Sequence, residues 1–203
     1  MVCKPHNLGM FDHNDHYHAL LLRQLPPAAG QALDVGCGTG AFARALAARG
    51  LEVDAVDPDE AVIGAARPTP GVRFTRGDIT TMDLARDRYD FVSCLASLHH
   101  VPFGTVGRLR EALAPGGVLA VLGCYRESTW SDHVISTAAV PVNAAVRLAL
   151  AGRAASSPVR APVSPPSMTL ADVREQAATL LPGARIRRLL FWRYLLLFRK
   201  PRT

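Results

Sequence analysis

Apolar residues recur along this chain in two rhythms. The segments Gln31 to Val35, Glu52 to Val56, Val72 to Phe74 and Tyr89 to Val92, and the stretch opening at Val118, are mainly apolar, broken singly by Asp34, Asp54, Arg73 and Asp90. Strands buried on both faces of a parallel sheet read this way, whereas half-exposed strands alternate. The segments between them carry helical spacing, most plainly Ala41 to Ala48. The alternation continues to about Tyr125 and predicts βαβ units around a parallel sheet.

Local signals extend the reading to both ends. A helix is expected from about Asp15 to Gln24, carrying Tyr17, Leu20, Leu21 and Leu22, with Pro26-Pro27 ending it. Asp132 can cap a helical segment running to Leu150, kinked or broken at Pro141. The Ala, Ser and Pro-rich stretch from Gly152 to Met168 reads as a loop or flap that closes over ligands together with the N-terminal helix. Thr169 and Asp172 form a capping pattern for a helix ending near Leu181, where Pro182-Gly183 stops it. Ile186 to Phe191 and Tyr194 to Phe198 then predict a closing pair of strands.

Chemistry concentrates at Asp34-Val35-Gly36-Cys37-Gly38-Thr39-Gly40, a strand end, glycine loop and helix start. Alternate glycines let a ligand approach the backbone, and the amides opening the next helix face it as donors. The loop by itself also fits the dinucleotide fingerprint, with Ala41 in the last place. Three acids bear on the choice. Asp34 interrupts a strand that should be apolar; a carboxylate there repels a pyrophosphate and attracts an ammonium or sulfonium. Asp57 follows the next strand, where it can accept from a ribose diol. Asp78, in Gly77-Asp78-Ile79, can accept from an adenine amino group. Turn or capping chemistry is the plainer role for Asp57 and Asp78, and organising the loop from underneath is the plainer role for Asp34.

Taken in order, Leu33 to Gly40, Val56-Asp57-Pro58, Gly77-Asp78-Ile79, Tyr89 to Val92 with Leu98-His99-His100, and Leu113-Ala114-Pro115-Gly116-Gly117 resemble the motifs of class I S-adenosylmethionine-dependent methyltransferases. The nearest flavour is the small-molecule group that includes ubiquinone and menaquinone methyltransferases. The resemblance spans roughly residues 30 to 125. It implies an α/β fold: a Rossmann-like, mostly parallel seven-stranded sheet with helices on both faces and a C-terminal antiparallel hairpin. It implies S-adenosylmethionine as cofactor. Gly36 and Gly38 would bring backbone close to its methionine portion, Asp57 would hold the ribose, and Asp78 with the Ile79 amide would meet the adenine; Asp34, Cys37 and Pro58 are further cofactor-binding candidates. The Leu95 region would face the amino acid end, and Tyr17, between His16 and His18, would belong to a lid. The expected layout is one domain: an N-terminal helical lid (1–29), a cofactor-binding core (30–125), acceptor-side helices and a Pro-rich loop (126–182), and terminal strands (183–203).

Composition narrows the remaining choices. With 203 residues, 49% hydrophobic and 20% charged, the chain suffices for one core. The net charge of +6 is uneven: residues 1 to 125 sum to −2 and the remainder to +8. A basic C-terminal part could draw nucleic acid, but Arg185, Arg187, Arg188, Arg193, Arg199 and Arg202 also suit the solvated positions of a terminal hairpin. Cys3, Cys37, Cys94 and Cys124 lack metal-type spacing, and reduced thiols in a cytoplasmic protein are expected. No metal is predicted. The first twenty residues lack the apolar core of a signal peptide, and Val134 to Ala151 is too polar to span a membrane.

His99 and His100, beyond a strand's carboxyl end, are the candidates for catalytic base, since a neutral imidazole is available near neutral pH. Their plainer role is to shape the cofactor pocket. Ala96-Ser97-Leu98-His99-His100 stands where amino-methylating nucleic-acid enzymes carry Asp/Asn-Pro-Pro-aromatic, which favours a small-molecule acceptor over nucleic acid. Oxygen is the preferred acceptor atom, with carbon next. The competing expectations are an S-adenosylmethionine-binding protein without methyl transfer and an RNA methyltransferase that uses the basic C-terminal part. Phe103, Trp130, Trp192 and Tyr194 can line an apolar acceptor pocket or serve as ordinary core.

Overall fold

The computed structural model describes residues 15–128, 165–190 and 192–202. Seven strands form one sheet in the order β3-β2-β1-β4-β5-β7-β6. In chain order the elements are α1 (Asp15–Leu22), β1 (Gln31–Val35), α2 (Ala41–Ala47), β2 (Glu52–Asp57), α3 (Glu60–Gly64), β3 (Val72–Arg76) and β4 (Tyr89–Leu95). A 3-10 turn (Leu98–His100), α4 (Thr105–Ala112), β5 (Leu113–Cys124), α5 (Leu170–Leu180), β6 (Arg185–Arg188) and β7 (Arg193–Arg199) follow. The first five strands pair in parallel, and β7 pairs antiparallel with both β5 and β6. This is the mostly parallel Rossmann-like sheet with a terminal hairpin that the motifs imply.

Apolar continuity along the central strands is used on both faces. Leu33, Val35, Val92, Leu119 and Val121 pack with residues of α4 and α5. Ala32, Val53, Ala55, Phe91, Ala120 and Leu122 pack on the other side with Tyr17 and Leu21 of α1 and Phe42, Ala43 and Leu46 of α2. The chain leaves β1 toward β2 and β3 in one direction and resumes at β4 toward β5 in the other. The loops after β1 and β4 therefore diverge, opening the crevice where an open α/β sheet receives its ligand.

Several boundaries differ from the sequence expectation. The first helix ends at Leu22, before the two prolines, and β3 continues to Arg76 because its pairing with β2 persists through Asp57↔Arg76. The first hairpin strand stops at Arg188 instead of running on through Leu190. Leu113 begins β5 directly after α4, with the turn inside the strand: Gly116 has φ 82, and a Cβ on Gly117 would lie 2.8 Å from the Tyr89 carbonyl oxygen. Thr169 caps α5 as expected, accepting from the Asp172 amide while Asp172 accepts from the Thr169 amide. The helix expected from Asp132 to Leu150, and most of the flap expected from Gly152, lie outside the described residues.

Beyond its backbone pairing with β5, the last strand is tied down by one lysine. Lys200 Nζ donates to the carbonyl of Leu113 at 2.8 Å and to Asp87 Oδ1 at 2.6 Å, joining the end of β7 to the start of β5 and to the segment before β4. Lys200→Gln should lower stability by about 1–2 kcal/mol in urea unfolding, the range for a charge-assisted bond that is partly exposed. An unchanged midpoint and slope would show that the lysine is not a clamp.

Candidate active site

The glycine loop sits on the carboxyl ends of β1 and β2. The amides of Gly36 and Cys37 both donate to the Val56 carbonyl, at 2.8 and 3.1 Å. Asp57, 9% exposed, then fastens the loop: Oδ2 accepts from the Gly38 amide and Oδ1 from the Asp59 amide, each at 3.0 Å. One aspartate thus combines a turn role with a place at the glycine loop. Gly77 N donates to the Asp57 carbonyl at 3.0 Å, bringing the end of β3 alongside.

Asp78 lies in that third segment with Oδ1 accepting from both the amide and the hydroxyl of Thr80, at 2.8 and 2.7 Å. These bonds hold its carboxyl below the ordinary carboxylate range. Ile79 is buried beside Val56, whereas Pro58 is exposed at the start of the β2–α3 turn. Arg108 of α4 reaches the carbonyls of Thr80 and Met82, tying this loop to the helix behind it.

Asp34 is 2% exposed and lies under the loop. Ser93 Oγ donates to its Oδ1 at 2.7 Å, while Oδ2 has no hydrogen-bond partner among the described residues. Burial pushes its carboxyl up to about 6, with the Ser93 bond and the Ala43 amide opposing the rise and the nearby Asp57 charge adding to it. A buried carboxylate oxygen without a partner beside a glycine loop suits a cationic ligand. The ammonium and sulfonium of S-adenosylmethionine fit that demand, and a dinucleotide pyrophosphate does not.

Cys37 turns its thiol toward the Gly38 carbonyl at 3.4 Å, and burial raises its pKa above the usual thiol value, so it stands as a neutral part of the loop. Leu95 is half-buried at the end of β4. Tyr17 is placed differently from the other predicted residues. It is 7% exposed, and its hydroxyl donates to the Leu190 carbonyl at 3.1 Å, which ties α1 to the β6–β7 turn. His99 and His100 lie in the 3-10 turn after β4 with ring centroids 4.1 Å apart; His99 is half-buried and His100 exposed.

Three participants escaped the sequence reading: Ser93, Ala96 and Ser97. Ser93 orients Asp34. Ala96 adopts φ 51, a left-handed conformation uncommon for a residue with a side chain and concentrated at functional turns. Ser97 packs into the notch left by Gly36, where a Cβ would approach Ser97 Cβ to 2.3 Å. The available signal was the polar residue in Phe91-Val92-Ser93-Cys94-Leu95, the same kind of interruption that marked Asp34 in β1.

A family model described as a methyltransferase domain matches residues 32–117. An uncharacterised methyltransferase of Mycobacterium tuberculosis (strain ATCC 25618 / H37Rv) is 37% identical over 198 residues, which cover 93% of this chain and 96% of the relative. The chain is a class I S-adenosylmethionine-dependent methyltransferase. A ubiquinone biosynthesis O-methyltransferase of Marinobacter nauticus is 36% identical to the methyltransferase over 104 residues, 46% of this chain and 44% of that one. Among solved structures, the PH0226 protein from Pyrococcus horikoshii OT3 shares the fold with a TM-score of 0.65 at 20% identity, covering 92% of this chain and 88% of its own. A phosphoethanolamine N-methyltransferase 2 of Haemonchus contortus, solved with S-adenosylhomocysteine, shares it with a TM-score of 0.60 at 18% identity, covering 85% of this chain and 38% of its own. Among the described residues no helix is long and apolar enough to cross a membrane, and no cluster of His, Cys, Asp and Glu is arranged to hold a metal ion.

The Asp34 environment sets a signed expectation. Its pKa rises from 3.8 unfolded to about 6 in the fold, so the protonated form stabilises the apo protein below about pH 4, and that contribution is lost as pH rises through about 6. Ionisation costs about 3 kcal/mol at neutral pH. Asp34→Asn should therefore raise apo stability at pH 7 but not at pH 4, while weakening S-adenosylhomocysteine binding. Thermal melts at both pH values together with calorimetry check this; a destabilised variant with unaltered affinity would contradict it.

Proposed function

We propose that this methyltransferase transfers the methyl group of S-adenosylmethionine to a small organic acceptor, preferably at oxygen, with His99 or His100 as the base. The carrying observation is the histidine pair itself, held on a turn that follows β4 directly and packs through Ser97 against the glycine loop. When bound, S-adenosylmethionine supplies an electrophilic methyl carbon. The chain's own residues then have three tasks.

Asp34 offers its free oxygen to the ammonium end. Asp57 keeps the loop closed around the ribose side, using lone pairs beyond those given to Gly38 and Asp59. Asp78 and the Ile79 amide meet the adenine. In-line displacement needs alignment and exclusion of water more than covalent help. A hydroxyl acceptor must also lose a proton. An imidazole nitrogen of His99 or His100 would accept that proton from the acceptor hydroxyl, while bound S-adenosylmethionine would supply the methyl group and leave as S-adenosylhomocysteine. The partial relatives named as ubiquinone biosynthesis O-methyltransferases support oxygen over nitrogen or carbon.

The distribution of basic side chains supports a small acceptor over RNA. Several C-terminal cations are spent inside the fold: Lys200 on Asp87 and Leu113, Arg199 on the Gly116 carbonyl, and Arg188 over the Tyr125 ring. Arg185 and Arg187 remain exposed on the edge strand, where charge discourages pairing with another sheet.

Incubating cell extract with isotopically labelled methyl donor and following label by mass spectrometry identifies the acceptor and the methylated atom. A labelled methyl ether on a small molecule is expected; label confined to RNA, or no transfer at all, would overturn the proposal. With the acceptor in hand, His99→Ala or His100→Ala should slow turnover by about 10²- to 10⁴-fold and abolish the acid limb of the pH–rate profile. Two nearly wild-type profiles would restrict both histidines to positioning. Asp57→Ala should weaken S-adenosylhomocysteine binding by about 1–3 kcal/mol, because it removes both a ligand contact and the Gly38 tether. Wild-type affinity in a folded variant would take Asp57 out of the site.

A further inference from the structure

The loops after β1 and β4 diverge at the switch point, and one side chain bridges them. Ser97 occupies the space beside Gly36: a Cβ there would lie 2.3 Å from Ser97 Cβ and 2.6 Å from Ser97 Oγ. The Ser97 hydroxyl donates to the Val35 carbonyl at 2.7 Å, and its oxygen lies 3.0 Å from Cys94 Sγ. A hydroxyl has a single proton to give. With that proton on Val35, the Cys94 thiol is the donor in the second contact. Burial suits the thiol to this task, pushing its pKa up to about 12 so that the proton stays on sulfur.

Backbone geometry is arranged around the same bridge. Ala96 turns the chain through φ 51, and its amide is retained by the Leu122 carbonyl of β5 at 2.7 Å. That turn directs Ser97 back toward β1 and sends Leu98, His99 and His100 onward as the 3-10 turn. Leu98 is 3% exposed and anchors the turn in the core. The spacing between the glycine loop and the histidine pair therefore depends on how Ser97 sits against Gly36 and Val35. In-line transfer is sensitive to misplacement on the scale of an ångström.

We infer that Ser97 is a positioning residue for methyl transfer, joining the cofactor loop at Val35 and Gly36 to the turn that carries His99 and His100. The inference rests on the reading of the glycine loop as the cofactor cradle. Its hydroxyl is what the role requires, because that group ties the turn after β4 to the Val35 carbonyl beneath the loop.

Calorimetry of the full chain with S-adenosylhomocysteine tests this with an isosteric pair. Ser97→Thr retains the hydroxyl and should bind within about 3-fold of wild type, whereas Ser97→Val, of the same shape without a donor, should bind about 5- to 20-fold more weakly. Equal affinities in the two variants would overturn the inference. Should the valine variant fail to fold, a second pair of substitutions decides. Gly36→Ala should lose affinity by about 30-fold or more, and adding Ser97→Gly should recover at least about 5-fold of that loss by vacating the space the new Cβ needs. Absence of recovery counts against Ser97. An unchanged affinity in Gly36→Ala alone would instead overturn the cradle reading on which the inference rests.

Discussion

A loop that presents bare backbone to a ligand has no side chains of its own with which to hold its shape. Here the shape is held by the Asp57 carboxylate, whose two oxygens bind the amides of Gly38 and Asp59 and so fasten the β1 loop to the β2 turn. The other contacts of the site build on that bond. The Val56 carbonyl receives the amides of Gly36 and Cys37, Gly77 hangs from the Asp57 carbonyl, and Ser97 closes the loop from the β4 side. The loops that diverge after β1 and β4 are thereby given a common floor.

The same floor contains a stored cost. Asp34 is taken out of water with one oxygen satisfied by Ser93 and the other left without a partner among the described residues. A buried carboxylate in that state lowers the stability of the empty fold, and a cationic ligand relieves it. On the proposed reading, binding of the charged cofactor and consolidation of the loop are one event. The neighbouring Asp57 charge raises the cost further and adds to the attraction for a cation.

The sheet was legible in the sequence because short apolar clusters recur between turn and helix signals: Ala32-Leu33 and Val35 in β1, Val53, Ala55 and Val56 between the acids of β2, and Phe91-Val92 in β4. The acids at 34, 57 and 78 were legible because each breaks such a run or follows its end. Boundaries were less so. The last strands are set by pairing partners rather than composition: Arg185 and Arg187 belong to β6 through Leu197 and Leu195, whereas the apolar Leu189 and Leu190 fall past its end. Ser97 was illegible for a different reason. Its significance is a notch in a residue sixty-one positions earlier and a left-handed Ala96, and neither leaves a local pattern. Tyr17 carries a tie that its place between two histidines did not reveal, the bond from its hydroxyl to the Leu190 carbonyl that joins α1 to the β6–β7 turn.

Amide hydrogen exchange resolved by residue, with and without S-adenosylhomocysteine, tests most directly whether the cofactor lies on the bare backbone at the switch point. Protection should then rise at the amides around Gly36 to Gly40, Asp57 to Asp59, Asp78 to Thr80 and Leu95 to Leu98, and stay unchanged along β6. Two other clefts provide the contrast: one among Asp54, Arg73 and Arg88 at the opposite end of the strands, the other between Met168 and the outer side of α5. Protection centred on either cleft, with the glycine loop unchanged, would contradict a cofactor site at the switch point.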